Sequence, residues 1–200
     1  MIKIANSKEK SASQTYWKIL ILIVLMLNVP RLFSQDRYNV EFGIGYPFPD
    51  KKFFVYYDGV YSINTSLTYE VLENFYTGIS FNFSKTKQDN PEVYTRYYIP
   101  NGIIKYKLGI VNNLFTSPEF GLGLVILNIK CSEYSYNEKQ LGFDIYGKIS
   151  IGFSVNNRID LLVSYRFDYM YLQNDEDFTM LEYYRSMHLS NLCAGINFKF

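Results

Sequence analysis

Apolar and polar side chains alternate with a period of two in one short run after another from Tyr38 to the end of the chain. Such alternation is typical of β-strands with two different faces, and no window here keeps a helical period for long. The sixth run is the clearest, with Leu, Phe or Ile at most odd positions and Gly, Asp, Lys or Ser at most even ones. The eight runs cover residues 39–46, 62–71, 77–84, 104–108, 119–126, 141–154, 159–169 and 191–200. The pattern predicts an all-β fold.

The two faces of these runs identify the kind of β-fold. One face is aliphatic and aromatic, whereas the other combines Gly, Ser and Asn with charged residues. The charged members of this second face are Glu41, Glu70, Lys105, Lys107, Asp144, Lys148, Arg166 and Asp168. A soluble sandwich would not gather small residues with charges, but the narrow lumen of an eight-stranded barrel accepts both while the apolar face meets lipid. We predict a single eight-stranded antiparallel up-and-down transmembrane β-barrel.

The charged inner face allows two interpretations. The charges can pair with one another and plug the lumen, or they can line an ion-selective passage. Because acidic and basic residues are both present in number, a paired network that closes so small a barrel is the favoured hypothesis.

Connections between the runs alternate in length, which is an independent indication of a barrel. Short turns with Asn follow the second, fourth and sixth runs, at residues 73–74, 112–113 and 156–157. Longer polar connections follow the others, at residues 47–59, 85–93, 131–139 and 173–184. Bacterial outer-membrane barrels have short periplasmic turns and longer external loops, so both mature termini are expected in the periplasm. Aromatic residues at run ends suit the two membrane interfaces: Tyr46, Tyr69, Phe75, Phe167, Tyr169 and Tyr171.

Residues 1–34 predict an export signal. Four lysines up to Lys18 precede an apolar segment, residues 19–29, and Leu32-Phe33-Ser34 offers a cleavage site whose position the sequence does not fix. A membrane anchor is the alternative, but the apolar segment is far shorter than the roughly 20 residues of a spanning helix. Pro30 and Arg31 also end it. The expected organisation is a signal peptide over 1–34 and a barrel domain over 35–200.

Composition excludes some functions and leaves one question open. Removing the signal leaves 15 basic and 18 acidic residues, a net charge of −3, so no nucleic-acid partner is expected. Cys131 lies in a predicted loop and Cys193 in the last strand, so whether they pair stays open in a compartment that permits disulfides. His188 is the single histidine, and the cysteines lack neighbouring ligands. We expect no metal and no cofactor.

Three stretches and the C-terminus resemble a known family. Residues 194–200, with alternate apolar positions and Phe198 and Phe200, look like the terminal signature that the barrel-assembly machinery recognises in bacterial outer-membrane proteins. Residues 72–78, 98–106 and 163–167 resemble the small outer-membrane β-barrel family common in Bacteroidetes, which shares the architecture of the OmpA-type membrane domain. The resemblance implies a bacterial outer-membrane location and contact with outer-membrane lipid and lipopolysaccharide. It also implies a non-enzymatic role in envelope structure, surface interaction or minor porin-like permeation, with no ligand or oligomeric state indicated.

An enzymatic alternative comes from the last run. His188-Leu189-Ser190-Asn191 resembles the His-x-Ser-Asn motif of lipid A deacylases, which are also outer-membrane barrels. By parity, His188 and Ser190 face outward, where a lipid substrate would lie. In that family a downstream Glu orients the His so that it can activate the Ser. Here no acidic residue follows Ser190, and Glu182 lies upstream. A deacylase-like hydrolase is therefore the alternative function.

Overall fold

The structure is a computed structural model that describes residues 37–49, 56–89, 92–131, 136–172 and 186–200. The predicted export signal lies outside the described residues, as do Glu182 and residues 50–55, 90–91, 132–135 and 173–184 of the predicted long connections. Arg37–Lys199 belong to one compact unit, and its described part is almost entirely β-strand. No helix in the described ranges has the length and apolar character needed to cross a membrane.

Nine strand segments form one closed antiparallel sheet. They are β1 (Tyr38–Pro49), β2 (Tyr57–Leu72), β3 (Phe75–Gln88), β4 (Val93–Tyr106), β5 (Leu108–Val111), β6 (Leu114–Cys131), β7 (Tyr136–Asn156), β8 (Ile159–Leu172) and β9 (Ser186–Lys199). Because β4 and β5 are separated only by Lys107 and both pair with β6, they are two parts of one strand. β1 pairs with β9, which closes the sheet. The predicted eight-stranded up-and-down barrel is confirmed.

The pairing register fixes the tilt of the strands. From Tyr38, the partners can be followed once around the barrel and back to β1 at Phe48, ten residues further along. The intermediate partners are Tyr69, Thr77, Ile104, Phe120, Gly147, Phe167 and Ser190. A stagger of this size over eight strands tilts them by about 40° from the barrel axis. The resulting lumen is just wide enough for side chains to fill it.

The outer surface is apolar and exposed, and the inner surface is mostly polar and buried. Ile44 is 70% exposed and Ile149 54%, whereas Asn82 and Ser84, on the inner face, are 0% exposed. Outward side chains of this kind on every strand suit contact with lipid hydrocarbon rather than with water. The two faces therefore lie as the alternation predicts.

Aromatic rings lie near both ends of the apolar surface. Phe83 packs against Tyr61 and Tyr98, with ring centroids 5.7 and 5.0 Å apart, towards one end of the strands. Tyr38 and Tyr69 pack at 5.0 Å towards the other end. Tyr rings combine an apolar body with a polar hydroxyl, which suits the boundary between lipid and water.

Three short turns define one end of the barrel, which we call the turn end; the opposite end is the loop end. Asn74 and Asn112 have φ values of 62° and 46°, a left-handed conformation that Asn tolerates better than most residues. In the third turn, Asn156 Oδ1 accepts hydrogen bonds from the backbone N–H groups of Arg158 and Ile159, at 2.8 and 2.9 Å. This turn comprises residues 157–158, one residue later than predicted.

The strands extend further at the loop end than the alternation predicts. The expected long connection 85–93 is wrong, because β3 continues to Gln88 and β4 begins at Val93. Cys131, expected in a loop, is the last residue of β6. β7 has 21 residues, which at the observed tilt cover roughly 50 Å along the axis, against about 25 Å for a lipid-facing apolar band. Backbone pairing continues where the outward residues are polar, so hydrophobic alternation underestimates strand length.

This arrangement predicts how a charge on the outer face depends on depth. Ile149 lies near the middle of the outward apolar residues of β7, and Val155 lies near their turn end. Ile149→Arg should lower the free energy of unfolding in lipid vesicles by about 2–4 kcal/mol, and the control Val155→Arg by about 0–1 kcal/mol. Denaturant titration with a gel-shift readout measures both. Equal losses would contradict the assignment of this face to lipid.

Candidate functional site in the barrel lumen

Glu41 is the centre of an ion-pair cluster that spans the lumen. Its carboxylate on β1 accepts hydrogen bonds from Lys105 Nζ on β4 at 2.9 Å and from Lys148 Nζ on β7 at 2.8 Å. Lys148 Nζ also lies 3.1 Å from Glu119 Oε2 on β6. These four residues are at most 8% exposed. The cluster therefore ties β1 to the far side of the barrel.

Arg166 forms a second cluster, nearer the loop end. Its Nε donates to Asp168 Oδ1 at 2.7 Å, and its terminal nitrogen lies 3.5 Å from Asp144 Oδ2. Asn101 donates to Asp144 at 3.0 Å, and Asn191 donates to Asp168 at 3.3 Å. Arg166, Asp144 and Asp168 therefore each have an ion-pair partner and a hydrogen bond, which offsets part of the cost of burying their charges.

Tyr146 connects the two clusters. The Arg166 guanidinium carbon lies 3.5 Å from the centre of its ring, and its hydroxyl donates to Glu119 at 2.6 Å. Gly121, directly opposite on β6, leaves the space for this ring, since a Cβ there would lie 2.1 Å from a ring atom. A glycine on the inner face thus positions the residue that links two ion-pair clusters.

Asp160 forms a third cluster at the turn end. Lys199 Nζ lies 2.7 Å and Lys107 Nζ 3.3 Å from its carboxylate oxygens, and Ser154 and Asn197 donate to it at 2.7 and 3.1 Å. A recess of about 10 Å³ beside this cluster has room for about one water molecule.

Taken together, the three clusters balance in formal charge. They contain five cations and five carboxylates: Lys105, Lys107, Lys148, Arg166 and Lys199 with Glu41, Glu119, Asp144, Asp160 and Asp168. Removing one partner of a buried pair leaves an uncompensated charge, which is far more costly than the pair itself. The described part of the network therefore resists any change that separates its charges.

The loop half of the lumen contains an apolar cluster, which the sequence did not predict. Eight side chains, none more than 2% exposed, form one cluster: Tyr97, Ile99, Val125, Leu127, Met170, Leu172, Met187 and Leu189. The expectation of a polar inner face over the full strand length is wrong here. The only sequence signal is a loss of alternation, as in Tyr97-Tyr98-Ile99 and Val125-Ile126-Leu127, where both faces are apolar.

Seven of the eight predicted lumen charges lie in the clusters, and Glu70 does not. Glu70 is half-buried near the first turn, where its carboxylate accepts a hydrogen bond from the backbone N–H of Asn74 at 2.7 Å. Glu119, Asp160 and Lys199 belong to the network but were not among the predicted site residues. Parity places all three on the inner face, and their partners could not be recognised without the register.

His188 and Ser190 face outward, as the parity of β9 predicts. Ser190 Oγ accepts a hydrogen bond from the Tyr165 hydroxyl at 2.9 Å, and the imidazole packs against the rings of Phe167 and Tyr169, with centroids 5.3 and 5.0 Å away. Within the described ranges, no hydrogen bond joins the imidazole to Ser190 and no carboxylate orients it. A Ser nucleophile needs both contacts for activation.

The cysteines are both buried free thiols. Cys193 lies in the lumen, where Asn64 Nδ2 donates to its Sγ at 3.0 Å, and Cys131 ends β6 near the loop end. Among the residues that the structure describes, no three His, Cys, Asp or Glu side chains are grouped as a metal site would require.

No protein-family model matches the chain, and no curated protein shows significant sequence similarity to it. A major outer membrane protein from Thermus thermophilus has a similar structure, with a TM-score of 0.59, 10% identity and coverage of 82% of this chain and 98% of that one. Neisserial surface protein A has a TM-score of 0.56, 13% identity and coverage of 82% and 97%. OprG from Pseudomonas aeruginosa has a TM-score of 0.50, 10% identity and coverage of 82% and 96%. The chain has the fold of small bacterial outer-membrane barrels. At such low identity the similarity concerns the fold alone.

The geometry predicts that removing the Glu41 carboxylate is costly. Glu41→Ala leaves Lys105 without its carboxylate partner and Lys148 with Glu119 alone, so the free energy of unfolding should fall by about 3–5 kcal/mol. Denaturant titration of the folded barrel measures the loss. Asp89→Ala is the control, since its pair with Lys87 is at the exposed loop end and should contribute little. A Glu41 variant as stable as the control would refute the structural role of the network.

Proposed function

We propose that the chain is a non-enzymatic outer-membrane β-barrel with a closed lumen, which contributes to envelope structure and presents its loop end at the cell surface. The observation that carries the proposal is the filled lumen, with ion-paired clusters in one half and an apolar cluster in the other. The apolar outer surface supports a membrane location. The structurally similar proteins include two that are described as outer membrane proteins and one as a surface protein, which agrees with the proposal.

Permeation is the least favoured of the expected roles. An ion that enters at the turn end would have to separate pairs such as Glu41 with Lys148, at 2.8 Å. It would then meet the apolar cluster, in which Ile99 and Met170 are 0% exposed and which offers little to replace the hydration of the ion. The two layers oppose conduction for different physical reasons, so a change in one does not open the other.

Orientation and export complete the proposal. Short turns are periplasmic in bacterial outer-membrane barrels, so the turn end and the mature termini are assigned to the periplasm. Residues 1–34 would direct export, and Phe198 and Phe200 would be read by the barrel-assembly machinery. Phe198 pairs with Val40 and Ile159, so this signal lies next to the strand that closes the barrel. We also propose that the chain is related to the small outer-membrane barrels common in Bacteroidetes, because residues 72–78, 98–106 and 163–167 resemble that family.

No contact of His188 or Ser190 with the described residues favours the deacylase alternative. Ser190 Oγ is engaged by Tyr165, and His188 packs between two aromatic rings at the edge of the lipid-facing surface. Aromatic rings beside an imidazole and a Ser hydroxyl, at the edge of the lipid-facing surface, are typical of the aromatic belt at a membrane interface.

Planar-bilayer recording tests the closed lumen. We expect the folded barrel to produce no stable, large conductance, because neither layer provides a continuous water path. Heat-modifiable migration of the protein recovered from the bilayer verifies insertion, so that an absence of conductance cannot result from failed incorporation. Reproducible large unitary steps would overturn the closed-lumen proposal.

Cysteine labelling in intact cells tests location and orientation. Asp89→Cys places a thiol at the exposed loop end, and Asn157→Cys places one in an exposed turn. A membrane-impermeant maleimide should label Asp89→Cys in intact cells and Asn157→Cys only after lysis. The native cysteines are buried and provide the background control. The opposite labelling pattern would contradict the proposed orientation.

A further inference from the structure

The outer surface changes from apolar to basic at one level on four neighbouring strands. Cross-strand partners on β3, β4, β6 and β7 form an apolar row: Phe83, Tyr98, Ile126 and Leu141. Two residues nearer the loop end, the next outward row is polar: Lys85, Arg96, Asn128 and Lys139. The two rows are about 7 Å apart along the strands. Lys130 follows Asn128 on the same face of β6.

Lys85, Arg96, Lys130 and Lys139, which we call the basic row, remain available for a ligand. Arg96, Lys130 and Lys139 are exposed, and no salt bridge joins any member of the row to a carboxylate of the described residues. Lys85 Nζ lies 4.3 Å from the centre of the Tyr94 ring, a contact that leaves its hydrogen-bond donors free.

Lys87 lies on the same outward surface but, unlike the basic row, is paired with carboxylates. Its Nζ lies 2.7 Å from Asp89 and 3.7 Å from Glu92, and its cross-strand partner is Asp58. Three described carboxylates of the outward surface, on Asp58, Asp89 and Glu92, therefore lie around Lys87 rather than around the basic row.

Among the residues that the structure describes, the outward cations near the loop end lie on one side of the barrel. The described outward residues near the loop end of β8, β9 and β1 include no Lys or Arg, and the larger ones are Tyr169, Tyr171, His188, Tyr46 and Phe48. A general requirement for charge at the membrane boundary would distribute cations around the whole circumference. The concentration of described cations on β3–β7 favours a specific ligand instead.

We propose that the basic row binds the phosphate groups of lipid A in the outer leaflet, with the acyl chains of the lipid on the apolar row below. Guanidinium and ammonium groups are preferred phosphate ligands, and the row crosses three strand spacings, about 14 Å, which accommodates more than one phosphate. A free anion would use the cations alone, whereas a lipid also uses Phe83, Tyr98, Ile126 and Leu141. The assignment rests on the proposed function, because it requires the loop end to face the outer leaflet.

Lipid retention by the folded barrel tests the assignment. Wild type and the variant K85Q/R96Q/K130Q/K139Q are titrated in detergent micelles with bisphosphorylated lipid A, and bound lipid is counted by native mass spectrometry. We expect the apparent affinity of the variant to fall about tenfold or more, since each cation at a charged lipid surface contributes roughly a fivefold factor. Lipid A without phosphates should bind wild type as weakly as bisphosphorylated lipid A binds the variant.

Two controls match the variant in chemistry. Lys87→Gln removes a neighbouring lysine that is already paired, and R37Q/R158Q removes two exposed cations at the turn end. Both should retain lipid A like wild type, and heat-modifiable migration confirms that every variant is folded. Equal loss in the controls, undiminished binding without phosphates, or displacement by inorganic phosphate alone would each overturn the proposal. A labelling result that places Asp89→Cys in the periplasm would instead overturn the orientation, and with it the outer leaflet as the source, while leaving the micelle measurement intact.

Discussion

Closure of the sheet by β1 and β9 is the constraint on which the rest of this structure depends. In hydrocarbon every backbone N–H and C=O must find a partner within the protein, and an open edge would leave a whole strand unsatisfied. Closing eight strands with a stagger of ten residues leaves a lumen that only side chains fill. The alternation of small and charged residues with apolar ones is the chemical consequence of that geometry.

The lumen is filled by different kinds of side chain along its length. In the turn half, pairs such as Glu41 with Lys105 bring opposite charges together across the barrel. In the loop half, residues such as Tyr97 and Met187 fill the space with apolar volume. Because the described lumen charges balance in sum, the net formal charge of the described barrel is carried by its surfaces. The basic row on β3–β7 is the clearest such feature.

The sequence predicted what depends on local pattern. Period-two alternation identified eight strands, their faces and the three Asn turns, because each is encoded within a few neighbouring residues. Pairing across the lumen was not predictable in this way, since Glu41 and Lys148 are 107 positions apart. The basic row was missed for the same reason: Lys85 and Lys139 are brought to one level only by the register. The apolar cluster was missed because alternation disappears where both faces are apolar, as at Ile99.

The position of Glu41 on the closing strand links charge neutralisation to the order of assembly. Its partners are on β4 and β7, so the carboxylate reaches both lysines only when the sheet has curved round and β1 has met β9. A sheet with seven strands in place would hold two buried ammonium groups with too few carboxylates, in a medium that penalises unpaired charge heavily. Partly closed forms are therefore poorly populated. The barrel should assemble and dissociate as one cooperative unit, with the last hydrogen-bonded seam and the ion pairs of Glu41 forming together.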